Sequence, residues 1–135
     1  MPTLPWTIPN PAPPRTKALV MASRFEVRSG RDVPRFFLKS LSAWRQVRSA
    51  PGAYGASLIA QPFKRVFYTL SAWEDRDALY AYARTDPHRG VVSDVRSTMK
   101  ASTFTFWEVS VEELPITWAD AKRRIADQAV AERAT

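Results

Sequence analysis

Apolar and polar positions alternate with two different periods along this chain, and the switch between periods divides it into elements. From Lys17 to Arg28 the run KALVMASRFEVR is rich in strand formers, with Leu19, Met21, Ser23, Phe25 and Val27 on one face and Ala18, Val20, Ala22, Arg24 and Glu26 on the other. Ser29-Gly30-Arg31-Asp32 interrupts it. Pro34 then suits a first helical turn, and Val33, Phe37, Leu41 and Trp44 recur near helical spacing, which predicts a helix to about Arg48. Pro51-Gly52 ends that helix, and the segments Ala53 to Gln61 and Arg65 to Trp73 read as a hairpin of two strands.

Acidic residues at Glu74, Asp75 and Asp77 mark the start of a second helix carrying Leu79 and Tyr82. Asp86-Pro87 reads as a restart of that helix, with Val91, Val92, Val95 and Met99 as its apolar stripe. Ala101 to Val111 is a fourth strand, and an amphipathic helix with Trp118, Ala121, Ile125 and Ala129 closes the chain. The order β-α-β-β-α-β plus one helix predicts an α+β, ferredoxin-like fold with an antiparallel four-stranded sheet and helices on one face.

Two features modify this picture. Six of the eleven prolines fall in the first fourteen residues, so residues 1–16 are expected to form an extended arm ahead of a domain spanning 17–135, able to lay Trp6 and Ile8 across a neighbouring surface. In the fourth strand Phe104 and Phe106 face one way while Trp107 and Val109 face the other, so both sheet faces carry apolar side chains. Something must cover the second face, and the expectation is the sheet of another copy in a two-fold homodimer.

Composition then removes several chemistries. No cysteine means no disulfide, thiolate metal site or cysteine nucleophile, and one histidine without cysteine disfavours zinc. The four glycines form no phosphate loop or dinucleotide fingerprint, and Asp75 and Asp77 diverge too much to act as a carboxylate pair or metal site. A formal charge of +7 is spread along the chain without a basic block or a nucleic-acid motif, so no nucleic-acid partner is expected. With no signal-peptide pattern and no apolar run of membrane-spanning length, the expectation is a cytoplasmic protein without a membrane partner.

Several stretches together carry a family resemblance: S-A-P-G before the second strand, then YTLSAWEDRDALYAYARTDPHRGVV, FTFWEV and LPITWADAKRR. From about Lys17 to Ile125 the chain resembles the dimeric α+β barrel superfamily of antibiotic-biosynthesis monooxygenases, and within it looks most like the spheroidene-monooxygenase-type and related uncharacterised proteins. Its most specific piece is T-L-S-x-W at a strand end, an acidic helix start, and D-P-H about a dozen residues later. The resemblance implies a pocket between sheet and helices for an apolar or aromatic small molecule, or in some branches haem. Members include cofactor-free and haem-dependent oxygenases, haem-degrading enzymes, dehydratases, isomerases and proteins without known activity, so the fold does not choose among them.

His88 is the only histidine, and any chemistry needing imidazole as base, acid or axial haem ligand must use it. Its place in the first turn after Asp86-Pro87 favours the neutral, ligating form. Trp73, Trp44 and Phe104 supply apolar lining, Tyr68 and Tyr82 have hydroxyls able to orient a substrate, and Arg84 and Arg89 could pair with a carboxylate or a haem propionate. The expected function is a monooxygenase-like enzyme, cofactor-free or haem-dependent. The competing expectation is a non-catalytic barrel protein that binds a small molecule or haem.

Overall fold

The computed structural model describes residues 3–84 and 99–133. It contains β1 (Thr3–Thr7), β2 (Lys17–Val27), α1 (Val33–Val47), β3 (Ala53–Gln61), β4 (Val66–Trp73), α2 (Arg76–Arg84), β5 (Met99–Ser110) and α3 (Trp118–Arg133). The strands form one antiparallel sheet in the order β1-β3-β4-β2-β5. Removing β1 leaves the four-stranded ferredoxin-like sheet expected from the pattern. The fifth strand comes from the proline-rich arm, whose prolines confine it to an edge.

Three contacts fasten that arm. Thr3 and Leu4 register with Ile59 and Leu58 of β3. Trp6 packs against the core cluster that includes Val20, Tyr54 and Leu70. Asn10 donates from Nδ2 to the Ala50 carbonyl at 2.9 Å and the Ala53 carbonyl at 3.0 Å. Gly52, beyond α1, has φ +78° and lies where a Cβ would come within 2.7 Å of Ala78 Cβ, so this turn is reserved for glycine.

Helices lie on both faces. α1 buries Val33, Phe36 and Val47, and α2 buries Leu79, all on the face that carries Leu19, Val27, Phe67 and Trp73. α2 begins at an Asp75 cap whose Oδ1 accepts from the Ala78 N–H at 2.8 Å. α3 crosses the opposite face, burying Ala121 and Ile125 against Ala18, Val20 and Val109.

On the face where the sequence pattern calls for a cover, this chain itself supplies one. The amphipathic helix of the same chain lies there, anchored by the Trp118 Nε1 bond to Ser57 Oγ at 3.2 Å and by two cations over rings, Lys122 at 4.9 Å from Tyr68 and Arg124 at 4.4 Å from Trp107. One correction concerns Met99, placed by the pattern on a helical stripe. It opens β5, opposite Val27. No described helix is long and apolar enough to cross a membrane.

Candidate functional site

On the face covered by α1 and α2, the centre of the sheet is polar. Strand registers place Ser23 of β2 beside Thr69 of β4, and Met21 beside Ser71. Ser23 and Ser71 are buried, Ser23 completely. The hydroxyls of Ser23 and Thr69 bond to one another, and Ser71 Oγ accepts from Trp73 Nε1 at 2.8 Å. This hydroxyl seam separates two apolar clusters, one built on Leu19, Trp73 and Leu79, the other on Val27, Phe36 and Phe67. Three hydroxyls at the centre of a core face cost solvation unless they are paired, so the sheet spends hydrogen bonds to keep polarity there.

Aromatic side chains wall the seam on the α2 side. Trp73 ends β4 fully buried, and Tyr82 packs on it at 5.0 Å between ring centroids, tilted by 38°. The Tyr82 hydroxyl donates to the Ala43 carbonyl of α1 at 2.7 Å, and burial pushes its pKa well above the ordinary tyrosine value. Trp44 packs against the same cluster beneath Arg48, whose guanidinium lies 5.6 Å from the ring centroid. The Trp44 Nε1 is buried and has no acceptor among the described residues. Buried indole N–H groups ordinarily find a partner, which singles this donor out.

β5 supplies the other wall. Phe104 stands opposite Ser23 and Phe106 opposite Met21, both on the seam's face and 40% and 42% exposed. Phe104 meets Phe25 edge-on at 5.4 Å. Arg76 spans the rim, 5.8 Å over Phe106 and 5.9 Å over Tyr80. Outside this apolar region, a cleft of about 910 Å³ opens between the end of α1 and the start of α2, lined by charged groups including Arg45, Glu74, Asp75 and Asp77 and floored in part by Tyr82. A smaller hollow of about 300 Å³ lies between Lys17, Leu19, Arg76, Phe106 and Glu108.

The structure thus brings Trp44, Trp73 and Tyr82 together and places Phe104 on the same face. Tyr68 does not join them. Its ring lies on the opposite face under α3, 6.3 Å from Trp118, because even and odd positions of β4 point oppositely. Arg84 is exposed at the last residue of α2. His88 and Arg89 lie outside the described residues. Sequence reasoning passed over Ser23, Thr69 and Ser71 as site residues. The available signal was Ser23 itself, a lone hydroxyl in the apolar row Leu19, Met21, Phe25, Val27.

No family model matches the sequence, and no curated protein matches it. Solved structures do match. The cofactor-independent oxygenase SnoaB from Streptomyces nogalater, in a mutant form, is 16% identical over 73% of this chain and 98% of its own, with a TM-score of 0.54. An antibiotic biosynthesis monooxygenase is 14% identical over 66% of this chain and 95% of its own, with a TM-score of 0.60. The chain spans about half of a longer candidate monooxygenase from Lactobacillus acidophilus, at 11% identity, 70% and 47% coverage and a TM-score of 0.60. The chain therefore has the α+β fold of the antibiotic-biosynthesis-monooxygenase-like proteins. At these identities the likeness is one of fold.

Proposed function

We propose that this protein is a monooxygenase-like enzyme that holds an apolar, aromatic small molecule over the Ser23–Thr69–Ser71 seam, between the sheet and helices α1 and α2. The observation that carries this reading is a seam of three hydroxyls between aromatic walls, with a buried indole N–H, Trp44 Nε1, that has no partner among the described residues. Mostly apolar sites with a few placed polar groups are the usual form of a small-molecule site.

Of the two expected chemistries we take the cofactor-independent one, because a cofactor-independent oxygenase shares the fold. The described residues contain no histidine, and the chain has no cysteine. The phenol nearest the seam, Tyr82, is tied to Ala43 and held neutral, which makes it a poor iron ligand. His88, the one imidazole able to ligate haem iron, lies outside the described residues.

Without a cofactor the substrate must itself be the reductant. An aromatic C–H acid that loses a proton can pass electrons to oxygen. A ring methylene is then oxidised to a ketone as dioxygen is reduced: one oxygen atom enters the new carbonyl, and the other leaves as water with both methylene hydrogens, which balances atoms and electrons. The seam and the Trp44 N–H would bind the developing oxyanion, the aromatic walls would exclude water, and His88, the only imidazole, would take the proton.

A second reading, binding without turnover, is favoured by the same Tyr82 contact, which leaves the described seam with hydrogen-bonding groups and no free base. Oxygen uptake over a panel of polycyclic phenols and related C–H acids separates the two. The enzyme reading expects uptake matched by product and reduced about a hundredfold in His88→Ala. Uptake equal to the protein-free rate across the panel, with ligands still raising the melting temperature, supports the binder. A stoichiometric Soret band on haemin titration, lost in His88→Ala, would overturn the cofactor-independent choice.

A further inference from the structure

The hairpin that joins β3 to β4 closes through a short turn, Pro62–Lys64, followed by Arg65. Its apex carries Phe63, 102% exposed and the most exposed large apolar side chain among the described residues. Turns between strands ordinarily take glycine, asparagine or aspartate, and a phenylalanine held wholly in water gains no burial from folding. The apex is nevertheless fixed in place. Arg65 has φ +58°, a left-handed conformation that is costly for any residue with a Cβ. Two bonds hold it there: its carbonyl accepts from the Val27 N–H at 2.9 Å, and its Nη1 donates to the Arg28 carbonyl at 3.2 Å.

Exposed cations gather at the same end of the sheet. The side-chain bond sets Arg65 beside Arg28, and Lys64 precedes it in the turn. Arg31 lies between β2 and α1, and α1 begins over this end, with Phe36 and Phe37 packed on Phe67, two residues beyond Arg65. Arg28, Arg31, Arg35, Lys64 and Arg65 are all exposed, and none has an ion pair among the described residues. Of the nearby acids, Glu26 is already held by Arg24 and Lys100, at 3.6 and 3.4 Å, and Asp32 is partly buried. The sequence shows no basic block because these five cations come from separate stretches that strand pairing brings together.

A fully exposed ring at an apex, with cations beside it, matches the boundary of an anionic bilayer: the ring enters the acyl region and the cations lie at the level of the phosphates. A nucleic acid calls instead for a groove or stripe that tracks its backbone. We propose that this tip docks the protein on lipid bilayers with anionic headgroups, inserting Phe63 while the five cations contact headgroup phosphates. Such docking needs no spanning segment. The seam residues take no part in it, so it stands or falls apart from the chemistry assigned to them.

Flotation of the full chain with vesicles tests it, using phosphatidylcholine alone against an equal mixture with phosphatidylglycerol. Binding is expected to the anionic vesicles only, and to weaken as salt rises. Phe63→Ser should weaken it about tenfold and Lys64→Ala about fivefold. Val130→Ser, which removes another exposed apolar side chain, on α3, should leave it unchanged. All three side chains are exposed, and melting temperatures matched to the parent confirm that each variant folds. No binding to the anionic vesicles at low salt overturns the proposal. Binding that Phe63→Ser leaves unchanged overturns it too, because the contact then lies elsewhere. So does single-stranded RNA bound more tightly than the anionic vesicles and equally by the parent and Phe63→Ser, because the cations then serve a nucleic acid.

Discussion

The indole of Trp6 fills the space directly above Gly55: a Cβ on residue 55 would sit 1.9 Å from Trp6 Cζ2, far inside contact distance. The arm and strand β3 therefore depend on one another. Glycine weakens a strand by itself, and here it admits the ring of a strand that prolines alone would not hold.

Gly55→Ala should consequently expel Trp6, although alanine is the better strand residue. The expected result is a loss of about 1–3 kcal/mol by chemical denaturation, with faster proteolysis before residue 17 and a shift in tryptophan emission. In Trp6→Ala the same glycine substitution should cost little, since the ring is already gone. Additive losses would mean that the two residues do not meet in solution.

A contrast between two tryptophans checks the site. Trp73→Phe loses a fully buried indole and its bond to Ser71, and should cost about 2–3 kcal/mol. Trp44→Phe removes a donor whose burial without an acceptor is itself costly, so it should change stability by less than about 1 kcal/mol. The same variant should weaken ligand binding, read by thermal shift. Equal costs for the two substitutions would show that Trp44 already has a structural partner.

Much of the fold was legible because each element kept one period over its length. The strand expected at Ala53 to Gln61 is β3, and the helix expected from Val33 to about Arg48 is α1. The arm was legible only as extended chain, since its pairing depends on the Trp6–Gly55 contact across forty-nine positions, which no local pattern encodes. Apolar residues on both faces of β5 signalled a cover, but periodicity cannot say which element supplies it, and α3 packs on that face. The site was legible in part. Trp73 stood out as the aromatic ending a strand and Tyr82 as a ring with a hydroxyl, whereas the seam arises from hydroxyls on separate strands meeting by register, and strand parity already set Tyr68 apart from Trp73.

Ile125 tests the attachment of α3. It is 2% exposed and sits where the helix meets Val20 and Val109, while the cations over Tyr68 and Trp107 hold the helix flanks. Ile125→Ala should cost about 2–4 kcal/mol and raise binding of a hydrophobic dye as the second face opens. The loss of Arg124 alone should cost about 0.5–1 kcal/mol, the scale of one exposed cation–ring contact. If Ile125→Ala proves as mild as Arg124→Ala, the helix is not packed on this face in solution.

Tyr82 should give the protein an alkaline limit. Its hydroxyl is buried, donates to Ala43, and has its pKa raised by desolvation above the ordinary value of 10. The folded state thus holds this proton more tightly than the unfolded chain. Below about pH 10 both states are protonated and the stabilisation is fully present. Above it the unfolded state releases the proton first, so stability falls as pH rises towards the folded-state pKa. Tyr54, raised by burial and by the nearby Glu74 and Asp75 carboxylates, adds a contribution of the same sign. Tyr82→Phe should lose about 1 kcal/mol at neutral pH with the hydrogen bond, yet show a flatter decline between about pH 10 and 11.5 than the parent. Urea denaturation of the two proteins at matched pH values gives the comparison. Parallel alkaline declines would mean that Tyr82 ionises in the folded protein as readily as in water, and that its bond to Ala43 does not keep it from solvent.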